Sequence, residues 1–500
     1  MRERGMTRRA VLQRAAAMAA GGLVQAQTAR RPNILFVIAD DWSNRHASVF
    51  GTPWVKTPAF DRVAREGVLF TNCFTSNPKC SPSRATMLTG RNTWQLKEAV
   101  NHQSIFPNEF PVYPSILEKS GYFTGFTGKG WGPGDFRSTG FAHNPAGREF
   151  VKFTAKPAYA GISNKDYARN FEYFLQQRPS GQPFCFWLGF HEPHRFYEEG
   201  SGVRAGKNPA EVKLPGYYPN SAVIRNDLLD YALEVESNDQ HLGRVMEALE
   251  KAGELENTLL VVTSDHGMPF PRSKGQIYEE GFHIPLAVRW GRNIAGGRVV
   301  DDFINARDFA PTFLEAAGVK PPETMTGRGF LDVLRSTRTG FVDPARNVML
   351  IGKERHDIGR PNDWGYPVRA IRTPEYLYVR NYEPDRWPVG NPETGYRNCD
   401  DSPTKRFILN RFDEQYRLSF GKRPPEELYD MKTDPDCLRN LADEGKHVLA
   451  KRALRERMEA MLKEEGDPRL NGNAAFFDTI RYTGGSQAGY DQWLEFQRAK

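Results

Sequence analysis

Cysteine is scarce in this chain: Cys73, Cys80, Cys185, Cys399 and Cys437 are all there are in 500 residues. An odd number, at spacings unlike a zinc ribbon or a disulfide framework, excludes a disulfide-stapled scaffold and leaves at least one thiol over. Export would permit disulfides among the others, while Cys73 and Cys185 lie in apolar stretches where a buried thiol is the simpler reading. No run approaches the ~18 consecutive apolar residues of a membrane span, so stable membrane insertion is not expected. Internal repeats and long low-complexity tracts are missing too.

An excess of one charge sign also disappears once its location is considered. The formal net charge is +7, but residues 1–29 hold five Arg against one Glu, so +4 belongs to that stretch and +3 to the rest. So nearly neutral a chain gives no electrostatic reason for a nucleic-acid partner, which needs a clustered basic face. The stretch itself, "MTRRAVLQRAAAMAAGGLVQAQTA", pairs Arg8 with Arg9, continues in an Ala-rich run and ends on small residues, Val24 and Ala26, suited to signal-peptidase cleavage. It resembles a twin-arginine export signal, so residues 1–29 are expected to be a leader and the mature protein periplasmic or secreted. A helix belonging to the fold is the alternative.

What is present is ordinary globular composition, 39% hydrophobic and 26% charged, at a length that exceeds one typical core. Buried-strand runs alternate with helical patterns: "NILFVIADD", "FDRVAREG", "PSILEKSG", "NKDYARNFEYFLQQR", "PFCFWLGF", the long "NDLLDYALEVESNDQHLGRVMEALEKAG", "NTLLVVTSDHG" and "IPLAVRW". The alternation predicts an α/β fold, a large mostly parallel mixed sheet sandwiched by helices, over residues 30–365. After about residue 365 the texture turns aromatic and strand-like, then to a polar loop and a charged helix, which predicts a smaller α+β domain over 366–500.

In parallel sheets ligands collect at the carboxyl ends of strands. Three strand-like runs end in polar chemistry: Asp40 and Asp41, His191 and His194, Asp265 and His266. Adjacent carboxylates suit Ca²⁺ or Mg²⁺. Alone, the Asp pair reads as a loop start or helix cap; a second strand ending in Asp265 and His266 turns the reading toward one shared ion. In "NPKCSPSRATMLTGR", Pro82 suits a first helical turn, which puts Cys80 at a helix N-terminus with Arg84 about one turn on. Free amide N–H groups and a guanidinium favour a tetrahedral oxyanion there.

Cys-x-Pro-x-Arg followed by "TMLTGR" resembles the type I sulfatase signature of the alkaline-phosphatase superfamily, whose Cys becomes formylglycine. The similarity recurs in order along nearly the whole mature chain, through "RPNILFVIADD", "GYFTGFTGKG", "HEPH", "NTLLVVTSDHG", "YEEGFHIPL" and "EELYDMKTDP". "FHEPHR" and "DHGMPFPRSK" resemble the heparan N-sulfatase (sulfamidase) branch more than the arylsulfatases.

The resemblance implies a sulfatase-like fold and a divalent ion, Ca²⁺ in most of the family, held by Asp40, Asp41, Asp265, His266 and the modified Cys80. Many members have Asn where His266 stands, so other divalent metals stay open. It further implies a hydrated formylglycine 80 that attacks sulfur, with Arg84, Lys129 and Lys274 neutralising sulfuryl oxygens and His191 contacting the sulfate and protonating the leaving group. His194 is expected as a substrate contact or supporting residue. In "GKGWGPG", Trp131 occupies the place of a histidine credited with assisting sulfate elimination, and His102 in "NHQSIF" is the candidate substitute. Glu354, His356 and Arg360 in "GKERHDIGR" are expected to supply sugar contacts, or to form a solvated charged loop.

The expected function is an exported sulfatase acting on O-sulfate or N-sulfamate groups of sulfated sugars, matured by a formylglycine-generating enzyme. A phosphate or phosphonate ester hydrolase of the same superfamily and a non-catalytic glycan-binding relative are the alternatives.

Overall fold

The computed structural model describes residues 30–411, 413–484 and 489–499; the leader expected over 1–29 lies outside the described residues. The strands, in chain order, are β1 (Asn33–Ala39), β2 (Val68–Phe74), β3 (Ser104–Ile105), β4 (Phe123–Gly128), β5 (Gly134–Asp135), β6 (Phe184–Gly189), β7 (Thr258–Ser264), β8 (His283–Arg289), β9 (Arg298–Val300), β10 (Ile304–Asn305), β11 (Met349–Lys353), β12 (Val368–Arg372), β13 (Tyr376–Asn381) and β14 (Glu426–Asp430).

The main sheet runs β10-β2-β8-β7-β1-β6-β4, with β9 also paired to β2. Only β8 is antiparallel to its neighbours. Central strand β1 shows why the sheet is sandwiched. Leu35, Val37 and Ala39 pack into one apolar cluster with Leu228, Val235 and Leu242 of the long helix Ala222–Lys251. Ile34, Phe36 and Ile38 pack into another with Met87, Tyr113 and Phe313 from helices on the opposite face. A strand with period-two side chains buried on both sides must read as a continuous apolar run, as "NILFVIA" does.

β11 to β14 form a separate antiparallel sheet. One face packs on Phe74, at the end of β2, and on Phe282; the other is covered by Leu454, Met458 and Leu462 of the helix Val448–Glu464. β11 precedes residue 366 yet belongs to this second sheet, and the chain from Pro32 onward is one compact unit. All five cysteines are buried free thiols. No helix among the described residues is long and apolar enough to cross a membrane.

Candidate active site

The parallel register of the central strands builds the site. Ala39 lies opposite Ser264 and Ile38 opposite Gly189, while Gly128 lies opposite Gly189 in turn. Lys129, His191, Asp40, Asp41, Asp265 and His266 therefore leave the same edge of the sheet within a residue or two of one another along their strands. The approach is tight: a Cβ on Gly128, at φ +80°, would meet Gly189 O at 1.9 Å, and one on Gly189 would meet Lys129 O at 2.0 Å. Asp41 itself has φ +76°, a left-handed conformation costly for a non-glycine residue.

The helix Cys80–Thr89 begins at Cys80, after extended Lys79, and every one of its residues is buried. Its N-terminus points Cys80 Sγ to within 3.3 Å of His266 Nε2. Arg84, one turn along the same face, donates from Nε to Asp265 Oδ2 (2.8 Å), from Nη1 to Lys129 O (2.8 Å) and Gly130 O (3.1 Å), and lies with Nη2 3.4 Å from Asp40 Oδ1. Most of the fork expected to face the sulfuryl oxygens is thus spent on the carboxylates and on the chain turn after β4.

Asp40, Asp41, Cys80 and His266 each turn one ligand atom into a common space, all within 4.8 Å of one another. Asp41 Oδ1 is buried without a hydrogen bond, 3.1 Å from His266 Nε2. An orphaned carboxylate oxygen among two aspartates, a thiol and an imidazole fits a divalent cation. Asp265 stands beside this set, its Oδ1 accepting from the Asp41 N–H (3.1 Å) and the His266 N–H (2.9 Å). Asp41, His194 and Asp400 also converge, but the Lys274 ammonium lies 2.6 Å from Asp41 Oδ2 and 3.0 Å from Asp400 Oδ2 and already supplies the positive charge there.

The field is strongly biased. Burial pushes the Cys80 thiol up, but Lys129, Lys274 and His266 outweigh it and hold it well below the ordinary thiol value. Burial alone would discharge His266; Asp265, Asp41 and Cys80 instead raise it to about 9. His191 is pulled down to about 4 by burial and by Lys129, whose ammonium pairs with Asp40.

His102 meets a partner no local motif announces. Its Nδ1 lies 2.8 Å from Asp357 Oδ1, Lys79 Nζ lies 2.9 Å from Asp357 Oδ2, and its buried Nε2 has no hydrogen bond while the ring lies within reach of Cys80. Trp131 instead donates from Nε1 to Ser81 O (3.0 Å), tying its segment to the first turn of the Cys80 helix. Asp357 and Asp400 are the residues sequence reading missed. Both arrive from beyond the main sheet, and only their place in "RHDIG" and "CDDSP", polar strings after apolar or aromatic ones, hinted at them.

The string expected to contact sugar is placed differently. Glu354 is buried between Arg369 (2.8 Å) and Arg469 (2.6 Å), and Arg360 gives its donors to the carbonyls of Trp387, Trp364 and Pro388. His356 holds Asn77 Oδ1 at 3.0 Å and backs Gly275, next to Lys274. All three are interior supports, satisfied by protein partners and absent from the cleft wall.

That cleft, about 870 Å³, opens over the site and is lined by Asp40, Lys129, Trp131, His191 and His194 among others. A mostly parallel sheet that gathers a thiol at a buried helix N-terminus and two lysines around the Asp40–Asp41 pair, with Asp40 and Lys129 opening onto this cleft, is a hydrolase architecture for tetrahedral oxyanion esters. The sulfatase family model matches residues 32–319, and the chain belongs to that family, the sulfuric ester hydrolases of the alkaline-phosphatase superfamily. It is 27% identical to an ulvan-active sulfatase of Formosa agariphila over 87% of this chain and 76% of that one. It is likewise 27% identical to the N-sulphoglucosamine sulphohydrolase of Homo sapiens over 88% of this chain and 91% of that one. Its fold matches BT4656 in complex with its substrate D-glucosamine-2-N,6-O-disulfate (TM-score 0.63, 22% identity, 87% and 98% covered). It also matches a phosphonate monoester hydrolase from Silicibacter pomeroyi (TM-score 0.66, 19% identity, 87% and 96% covered).

Proposed function

We propose that the protein, once exported, removes sulfate from sulfated sugars, as O-sulfate ester or N-sulfamate, using formylglycine made from Cys80 and a divalent ion, Ca²⁺ by preference. The observation that carries this is the thiol at the start of a buried helix, 3.3 Å from His266 and grouped with Asp40 and Asp41, Asp40 being shared with the cleft that Lys129 and His191 line.

Asp40, Asp41, His266 and residue 80 would hold the ion, with Asp265 beside them, and the ion would supply charge that activates a hydroxyl and offsets sulfate oxygens. Converted and hydrated, residue 80 would supply that hydroxyl as nucleophile. Around it the chain's own groups have distinct tasks. Arg84 fixes Asp265 and Asp40, and Lys274 fixes Asp41, so the acidic nest keeps its shape as substrate arrives. Lys129 and His191 line the cleft where sulfate oxygens sit. An entering sulfate opposes the Lys129 charge and returns His191 toward protonation, ready to donate to the leaving oxygen or nitrogen. His102, held by Asp357 and within reach of residue 80, would take the proton that leaves residue 80 when sulfate is released, a task the Trp131 indole cannot perform.

Peptide mass spectrometry across Cys80 in the natively made protein tests the reading: conversion lowers the mass by about 18 Da as CH₂SH becomes CHO. An unconverted thiol from a cell possessing the maturation enzyme sinks it and favours a glycan-binding role. The shared fold keeps phosphonate ester hydrolysis as the second reading, and relative rates on sulfate and phosphonate esters decide. For export, exchanging Arg8 and Arg9 for Lys should trap the protein in the cytoplasm; unchanged export removes the twin-arginine reading.

A further inference from the structure

The cleft does not end at the sulfate site. A second hollow of about 580 Å³ adjoins it, and Phe136 and Arg137 line both. The cations along this path are not equivalent. Lys129 pairs with Asp40 and belongs to the sulfate site already described, and Arg195 is locked onto Asp227 by two hydrogen bonds of 2.8 Å. Arg137 and Arg481 are exposed and make no ion pair among the described residues. Arg481 faces Asp135, whose carboxylate already accepts the N–H groups of Arg137 and Ser138 at 3.0 Å each. The one other acid on the first cleft beside Asp40 is Glu149.

The walls that carry these arginines are fastened together and to the catalytic helix. β3 pairs with β5, and Thr483 N–H donates to Gln103 O at 2.7 Å, which binds the Arg481 segment to the same ribbon. Ser81 Oγ donates to Pro133 O, and Trp131 Nε1 to Ser81 O, so the link from Lys129 to Phe136 rests on the first turn of the Cys80 helix. The groove is therefore fixed relative to the reacting group, with an aromatic ring, Phe136, beside the Arg137 guanidinium at 5.8 Å.

We propose that the substrate is an anionic oligosaccharide, in which the sulfate over residue 80 is accompanied by a second sulfate or carboxylate on a neighbouring sugar, held at Arg137 and Arg481. Phe136 offers the apolar face against which a sugar ring lies between the two anionic groups. This deepens the sulfatase reading and rests on it.

The test is calorimetric titration of the metal-loaded full-length enzyme and of the Arg137→Ala/Arg481→Ala variant. The probes are inorganic sulfate, a heparin-derived sulfated tetrasaccharide and an uncharged tetrasaccharide. Two exposed charge contacts predict that the wild type binds the sulfated tetrasaccharide about tenfold tighter than sulfate, and that the variant loses this gain while its sulfate affinity stays unchanged. The gain should shrink as salt is raised. A sulfated tetrasaccharide bound no tighter than sulfate, or equally well by wild type and variant, overturns the proposal. Arg137→Glu/Arg481→Glu should deepen the loss, and circular dichroism confirms that each variant is folded. Hydrolysis of a small aryl sulfate is measured in parallel: its absence in the Cys80-converted enzyme defeats the sulfatase reading, whereas its presence without any length-dependent gain defeats this proposal alone.

Discussion

At the scale of single residues, the site separates groups that react from groups that hold. Cys80→Ala should remove sulfate release by three orders of magnitude or more, as about that much or more is lost when a nucleophile is deleted from a catalytic unit, with the fold intact by circular dichroism. His102→Ala should lower kcat by about 10²–10⁴ with little change in KM, the usual range for a lost proton acceptor or donor. A peptide carrying sulfate on the hydrated formylglycine at position 80 should then accumulate in quenched samples; a raised KM with unchanged kcat would instead make His102 a binding residue. Arg84→Ala should cost about 3–5 kcal/mol in a urea titration, because buried Asp265 loses its guanidinium partner and Asp40 is left with Lys129 alone. Arg84→Lys cannot restore it, since one ammonium cannot reach two carboxylates and two carbonyls.

A residue outside the site supplies the pH signature. Burial, with Glu192 and Asp230 nearby, raises Glu234 to about 9, and the side chain lies 2% exposed. The folded state keeps this proton while the unfolded chain releases it near the ordinary value of 4.5, so stability falls as pH rises from there toward about 9. Glu234→Gln should therefore gain on the order of 1–3 kcal/mol at about pH 8 and nothing at about pH 4. Equal effects at both pH values would show that Glu234 is ionised in the folded protein.

At the scale of elements, strand ends are the working parts. Gly128→Ala would drive a methyl into Gly189 O where β4 and β6 deliver Lys129 and His191, so activity should fall by an order of magnitude or more, with a stability loss of about 1–3 kcal/mol. A variant with unchanged kcat/KM would show that these strand ends tolerate displacement. The same elements explain what was legible beforehand. "NILFVIADD" and "TLLVVTSDHG" announce themselves because a doubly buried parallel strand must be apolar throughout and can change character only at its end. Pro82, in the first turn where its missing N–H costs no helical hydrogen bond, and the αL Gly90 just past the end likewise mark the Cys80 helix. Asp357 and Asp400 could not be read this way. Their significance comes from Lys79, His102 and Lys274, partners far away in the chain, and a lone Asp in a polar loop carries no trace of such a meeting. Glu354 and Arg360 misled for the mirror-image reason: a charged string looks solvated until Arg369, Arg469 and the carbonyls near Trp387 close around it.

At the scale of the whole molecule, a cation held in the acidic nest would be linked to stability. Chelation should lower the melting temperature, and Ca²⁺ at a hundred times its Kd should restore about 2.7 kcal/mol, the mass-action gain for a ligand bound only by the folded state. A melting curve indifferent to Ca²⁺, Mg²⁺ and Mn²⁺ would leave the nest as a purely structural charge cluster. The linkage is global because the second sheet and its loops reach back to it: Asp357 engages Lys79, next to Cys80, and Asp400 engages Lys274.

That long reach also puts a clock on maturation. Cys80 is 1% exposed in the finished protein, closed in by residues as late in the chain as Asp357 and Asp400. During synthesis at roughly 5–20 residues per second, tens of seconds separate the appearance of Cys80 from that of Asp400. In the proposed chemistry this interval is when a modifying enzyme meets an open thiol. Slowing translation downstream of Cys80 should raise the converted fraction, and a pre-folded thiol form should resist conversion altogether: the burial that holds residue 80 in register with its neighbours also sets the deadline for preparing it.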